Sequence, residues 1–144
     1  MFFGSYEHTL DEKGRLVIPC KMREECGVKL YIMKGFDGAL SLYKVDDFEK
    51  LAAEVSSLSF KKKDSRAYLR VRLASACELD IDKQGRIQIP TQILNKYEIG
   101  KEVVVIGVGD HIEVWNKAAY KEYEKAADDS FESIAENLDD EQED

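Results

Sequence analysis

The sequence predicts an α+β fold made of two pseudo-twofold halves, each a small β-rich module with flanking helices. Three observations predict it. Residues 10–19, LDEKGRLVIP, return as residues 81–90, IDKQGRIQIP, with Asp, Gly, Arg, Ile and Pro at identical spacing 71 residues on. The likeness continues at an offset of 72, matching Gly35 with Gly107, Leu40 with Ile112, Leu42 with Val114, Tyr43 with Trp115 and Phe48 with Tyr120. Within each copy, short β-prone runs alternate with Gly-containing turns and short helical stretches. Two copies are too few for a stacked array, so each half is expected to complete the other's core.

The elements follow in order. Asp11-Glu12-Lys13-Gly14 has turn chemistry, because Asp bonds nearby backbone N–H groups and Gly accepts a positive φ. A hairpin is expected there, with Arg15 at its exit and Leu16–Ile18 as the strand. Pro19 ends that strand and starts a helix over Lys21–Cys26, which Gly27 stops. Strands Leu30–Met33 and Ala39–Tyr43 flank a turn over Gly35–Gly38. Asp46 or Asp47 is expected to cap a helix through Val55, with Phe48, Leu51, Ala52 and Val55 on one face. Lys61–Ala76 reads as a helix, with Leu69 and Leu73 one turn apart. The second copy repeats the order: a turn over Asp82–Gly85, a strand over Ile87–Ile89, and a short helix from Pro90 and Thr91 to Tyr97. Strands Glu102–Ile106 and Ile112–Trp115 follow, then one helix from Lys117 toward Leu138. The modules are expected over 5–47 and 76–119, with a helical connector over 48–75 and an acidic tail over 128–144.

Charge is distributed unevenly. The net of −8 comes from 29 acids and 21 bases, but nine acids and no base fall between Asp128 and Asp144. The body is therefore close to neutral, and the overall acidity does not exclude a nucleic-acid partner. The tail carries too little apolar content to fold alone. No apolar run approaches the ~20 residues that cross a bilayer. Met1–Leu10 lacks a basic start and a long apolar stretch, so the chain is expected in the cytoplasm. Cys20, Cys26 and Cys77 lack paired spacing, which argues against a disulfide framework or zinc site and for three buried or half-buried thiols.

The signature D-x-x-G-R-hydrophobic-x-I-P, used twice, resembles the SpoVT/AbrB class of swapped-hairpin modules. Its duplication in one chain, with the opening Met-Phe-x-Gly-x-Tyr-x-His-x-Leu-Asp, resembles the MraZ family over roughly residues 1–125. The resemblance implies a duplicated swapped-hairpin, AbrB-like β-barrel. It also implies a nucleoid-associated, ring-shaped homo-oligomer that binds short direct repeats in promoter DNA. Such a protein regulates the division and cell-wall gene cluster, its own promoter included. The DNA-binding surface it implies contains Asp11 with Arg15 and Asp82 with Arg86, on the loops that hold Lys13, Gly14, Lys83 and Gly85.

The residues support more than one reading at several positions. Arg15 and Arg86 each present a planar fork suited to guanine or phosphate, or else pair only with the Asp four residues before. Both hold if the Asp aims the Arg. Lys13, Lys83, Lys21 and Arg23 suit phosphate contacts, which fix register without reading sequence, and equally suit plain solvated positions. Lys13 faces Gln84 across the repeat, which predicts stronger phosphate binding by the first loop. Lys61, Lys62, Lys63, Arg66, Arg70 and Arg72 form the densest basic stretch, read as solvated or as a subunit contact in preference to a second DNA surface. His8 suits a strand and His111 a turn, and neither carries metal or nucleophile spacing, so no catalytic residue, metal or cofactor is assigned. Trp115 and Tyr43, at equivalent positions, suit the core better than base stacking. A protein-interaction module, antitoxin-like, is the alternative function; the paired arginines favour DNA.

Overall fold

The computed structural model describes residues 1–142, with side chains through Leu138. Two strands, a short helix, two strands and a helix run in that order twice. The first set is β1 (Ser5–Thr9), β2 (Arg15–Val17), α1 (Cys20–Cys26), β3 (Lys29–Lys34), β4 (Leu40–Lys44) and α2 (Val45–Ser56). After α3 (Lys63–Ala74) come β5 (Cys77–Asp80), β6 (Arg86–Gln88), α4 (Thr91–Lys96), β7 (Glu102–Gly107), β8 (Ile112–Asn116) and α5 (Lys117–Asp129). A last helix, α6, spans Phe131–Gln142.

Pairing crosses between the halves. The six-stranded antiparallel sheet has the order β1-β7-β8-β4-β3-β5, and a separate two-stranded ribbon joins β2 to β6. The first half thus lends β1 to the second half's β7, and the second lends β5 to the first half's β3. At the middle, β4 meets β8 with Ser41 opposite Glu113, and in the ribbon Leu16 lies opposite Ile87. Both are pairs of counterparts in the sequence repeat, so a pseudo-twofold axis runs through the two registers.

Period-2 alternation sorts the side chains into two layers. Leu40, Leu42, Val103, Val105, Ile112 and Val114 face one core, which Leu16, Ile18, Ile87 and Ile89 cover from the ribbon side with Met22 of α1. On the opposite face Val104, Ile106 and Trp115 pack with Ala39 and Tyr120, under α5. There Phe48 of α2 stacks on Tyr31 with ring centroids 4.1 Å apart. Trp115 and Tyr43 are buried, in keeping with core packing. Among the described residues no helix is long and apolar enough to cross a membrane.

Several expectations are corrected. The turn at Asp11–Gly14 does not make a hairpin of its flanking strands: Asp11 N–H donates to Arg15 O, after which β1 runs into the sheet and β2 into the ribbon. Nor does the sheet close into a barrel, since β1 and β5 remain its edges among the described residues. Strands β2 and β6 pair with each other in the separate ribbon and take no place in the six-stranded sheet. Asp46 and Asp47 are not caps; α2 starts at Val45 after Lys44, and the two acids sit in its first turn, where they favour the positive end of the helix. The helix after Lys117 is two helices, parted at Ser130. Arg72 is buried rather than solvated: it donates from Nη2 to Met33 Sδ at 3.3 Å and from Nη1 to Tyr68 Oη at 3.2 Å. Cys20 is exposed, whereas burial pushes the Cys26 thiol up to about 11. The tail is helical from Phe131 to Gln142, with Phe131, Ile134 and Leu138 exposed; its last residues, 143–144, lie outside the described residues.

Candidate nucleic-acid interface

Each loop is built by one aspartate. Asp11 Oδ1 accepts from the backbone N–H of Lys13 at 3.0 Å and of Arg15 at 2.8 Å, closing the turn. Asp82 Oδ1 does the same for Gln84 and Arg86, both at 2.9 Å. The second carboxylate oxygen takes the arginine: Arg15 Nε donates to Asp11 Oδ2 at 2.5 Å and Arg86 Nε to Asp82 Oδ2 at 2.8 Å. The backbone N–H of Arg15 does most to hold the Asp11 carboxyl below the usual carboxylate range, and that of Arg86 does so for Asp82. Both carboxyls therefore stay ionised.

The Asp–Arg ion pair is present in both loops, and it engages one edge of each guanidinium. The aspartates engage Nε, and the terminal Nη groups make no hydrogen bond to any described residue. A guanidinium held at Nε keeps its outer edge for two parallel bonds to a guanine or a phosphate.

The glycines are required by the backbone. Gly14 has φ +76° and Gly85 φ +75°, in the left-handed region. A Cβ at Gly14 would also fall 2.7 Å from Ile89 O. The loops are tied together through the same residues, since Ile89 N–H donates to Gly14 O at 3.0 Å and Ile18 N–H to Gly85 O at 2.8 Å.

The ribbon brings the two arginines onto one surface. Leu16 and Ile87 point inward and are fully buried, so Arg15, Val17, Arg86 and Gln88 share the outer face. Arg15 lies opposite Gln88 and Val17 opposite Arg86, which sets the arginine Cα atoms diagonally, roughly 8 Å apart for ideal strands. A two-stranded ribbon fits a major groove about 12 Å wide. Lys13 and Lys83 are exposed on the loop tips beside it, and Lys21 is exposed on α1. His8 lies in β1 and His111 between β7 and β8. The basic stretch before β5 lies on α3, which packs on β3 and α2.

Val17, Gln88 and the seating of Arg23 were not foreseen. The alternation of β2 and β6 signals an outer face, but nothing local says that the two strands pair with each other. Arg23 packs its guanidinium against Gly85, where an added Cβ would fall 2.2 Å from Nε.

The chain matches the profile of one family, described as "MraZ protein, putative antitoxin-like", over residues 1–71 and again over 73–142. It is similar to the transcriptional regulator MraZ of Caldanaerobacter subterraneus subsp. tengcongensis, 46% identical over 139 residues, 96% of this chain and 97% of that protein. The protein of the same name from a Thermoanaerobacter species is 46% identical over 140 residues, 97% of this chain and 98% of its own length. The one from Pediococcus pentosaceus is 41% identical over 138 residues, 96% of both chains.

Proposed function

We propose, from the premise that the chain belongs to the MraZ family, that it is a transcription regulator reading double-stranded DNA with the β2–β6 ribbon and its two loops. The observation that carries this reading is the pair of arginines on one outer face, each held by Nε and with Nη groups that make no hydrogen bond to a described residue. The arginines supply base or phosphate contacts, the aspartates aim them, and the glycines Gly14 and Gly85 let the backbone turn tightly enough to present them. Lys13 and Lys83 add phosphate contacts at the tips. The wider proposal is a swapped-hairpin protein that works as a ring of copies on short direct repeats, its own promoter among them, in the division and cell-wall cluster. Repetition of a small contact surface raises effective concentration and thus avidity.

The test is a titration of a duplex from upstream of its own coding sequence with wild type, Arg15→Ala and Arg86→Ala, at several salt concentrations. Light scattering is expected to give a mass several times 16.4 kDa. Each variant is expected to stay folded by circular dichroism and to lose about 1–3 kcal/mol per base contact, or about one unit of salt slope if the contact is phosphate. The family description favours a second reading, an antitoxin-like module that binds a protein partner. Wild-type DNA affinity in both folded variants would put that reading ahead.

A further inference from the structure

The two loops are not equal, and a residue outside them makes the difference. The counterpart of Arg23 in the repeat is Leu94. Each packs on the other half's loop glycine: an added Cβ at Gly85 would fall 2.2 Å from Arg23 Nε, and one at Gly14 would fall 3.2 Å from Leu94 Cδ1. The same seat in the fold thus holds a cation beside the second loop and a hydrocarbon beside the first.

The charge of Arg23 is not neutralised. Its Nη2 donates to Ile18 O at 3.0 Å, its Nε is buried without a hydrogen bond, and among the described residues no carboxylate pairs with it. Arg15 and Arg86, by contrast, each face an aspartate. The loop sequences lean the same way. Residues 11–15 hold two acids and two bases, because Glu12 stands where the second loop has Lys83. Residues 82–86 hold one acid and two bases. Lys101 lines the hollow beside the first loop and gives it a single excess base. In the shared seat itself Arg23 adds one base to the second loop, while Leu94 adds none to the first.

We propose that Arg23 is a phosphate-contacting residue of the second loop, and that this makes the Asp82–Arg86 loop the stronger DNA anchor of the chain. The inference rests on the DNA-binding reading above and reverses the ranking that Lys13 and Gln84 alone suggest. A half-buried guanidinium already seated on the loop backbone loses little further freedom when it meets a phosphate, so its charge is pre-organised. The first loop, with Leu94 in that seat, gains packing there and no charge.

The experiment measures binding of the same upstream duplex against salt for wild type, Arg23→Leu and Arg23→Gln, alongside Arg15→Ala and Arg86→Ala. Arg23→Leu installs the counterpart that already packs on Gly14. Arg23→Gln keeps a donor for Ile18 O and removes only the charge. Both are expected to lower the salt slope by about one unit, and the affinity at 0.15 M salt about fivefold, for each second loop engaged. Arg86→Ala is expected to lose more affinity than Arg15→Ala. Thermal melts and light scattering report whether fold and assembly persist. An unchanged salt slope in both Arg23 variants overturns the proposal, even if melting temperature falls, because a purely structural tether moves stability and not the slope. A larger loss in Arg15→Ala than in Arg86→Ala overturns it as well. If wild type binds no duplex, the DNA reading and this inference fall together; if wild type binds and only the Arg23 results disagree, the DNA reading stands.

Discussion

Asp11 and Asp82 each use both carboxylate oxygens, one on the turn and one on an arginine, so the loop and its cation are ordered by the same group. His111 is a second residue whose surroundings set a measurable property. Its ring stacks on Tyr43 with centroids 4.7 Å apart, and its Nδ1 lies 2.7 Å from Asp110 Oδ1. Burial would lower its pKa, but the carboxylates of Glu113 and Asp110 outweigh that and raise it. The folded value therefore lies above the unfolded one of about 6.5. The resulting stabilisation is complete below that pH and is lost as pH rises through the folded value. His8 acts in the opposite sense, since burial lowers its pKa and its contribution is lost as pH falls. Thermal melts from pH 6 upward are expected to show a decline in wild type that His111→Gln lacks. A decline of the same size in both would remove His111 as its source.

At the scale of elements, the ribbon depends on two inward residues, Leu16 and Ile87, which seal the core under the arginines. Ile87→Ala is expected to cost about 2–5 kcal/mol, read from urea unfolding. A cost under about 0.5 kcal/mol would mean that the ribbon is not seated as described. Much of this level was legible in the sequence. Strands β3, β4, β7 and β8 fall within a residue or two of their expected ends, because apolar runs between Gly turns leave few alternatives. The prolines Pro19 and Pro90 place the starts of α1 and α4 equally well. The loop residues could be listed from the repeat alone. Strand partners could not be, because β2 and β6 are three residues long and carry no information about what they face. The break at Ser130 was hidden for a different reason: Tyr123, Ala127, Phe131, Ile134 and Leu138 keep helical spacing across it, which masks the low helix propensity of Asp128-Asp129-Ser130. Arg72 was misread because a lone sequence gives no sign that Met33 and Phe36 enclose it.

The whole molecule is held together by exchange. Neither half has a complete sheet of its own: β1 needs β7, β5 needs β3, and β2 needs β6. Residues 1–72 expressed alone are therefore expected to be unfolded or to pair with a second copy of themselves, which far-UV circular dichroism and light scattering will distinguish. A stably folded monomer of that fragment would contradict the shared-core description. The same exchange bears on how such a chain can evolve. In two separate identical subunits, a residue on the twofold axis must face its own copy, so Glu113 there would meet another Glu113 across the strands, an unfavourable pairing of like charges. One covalent chain lifts that constraint. Here Ser41 faces Glu113, and Glu113 is left free to hold Trp115 Nε1 and the ring of His111. Fusion of the halves thus lets mutation act on one side of the axis at a time, and a symmetric scaffold can acquire two unlike faces without first losing its fold.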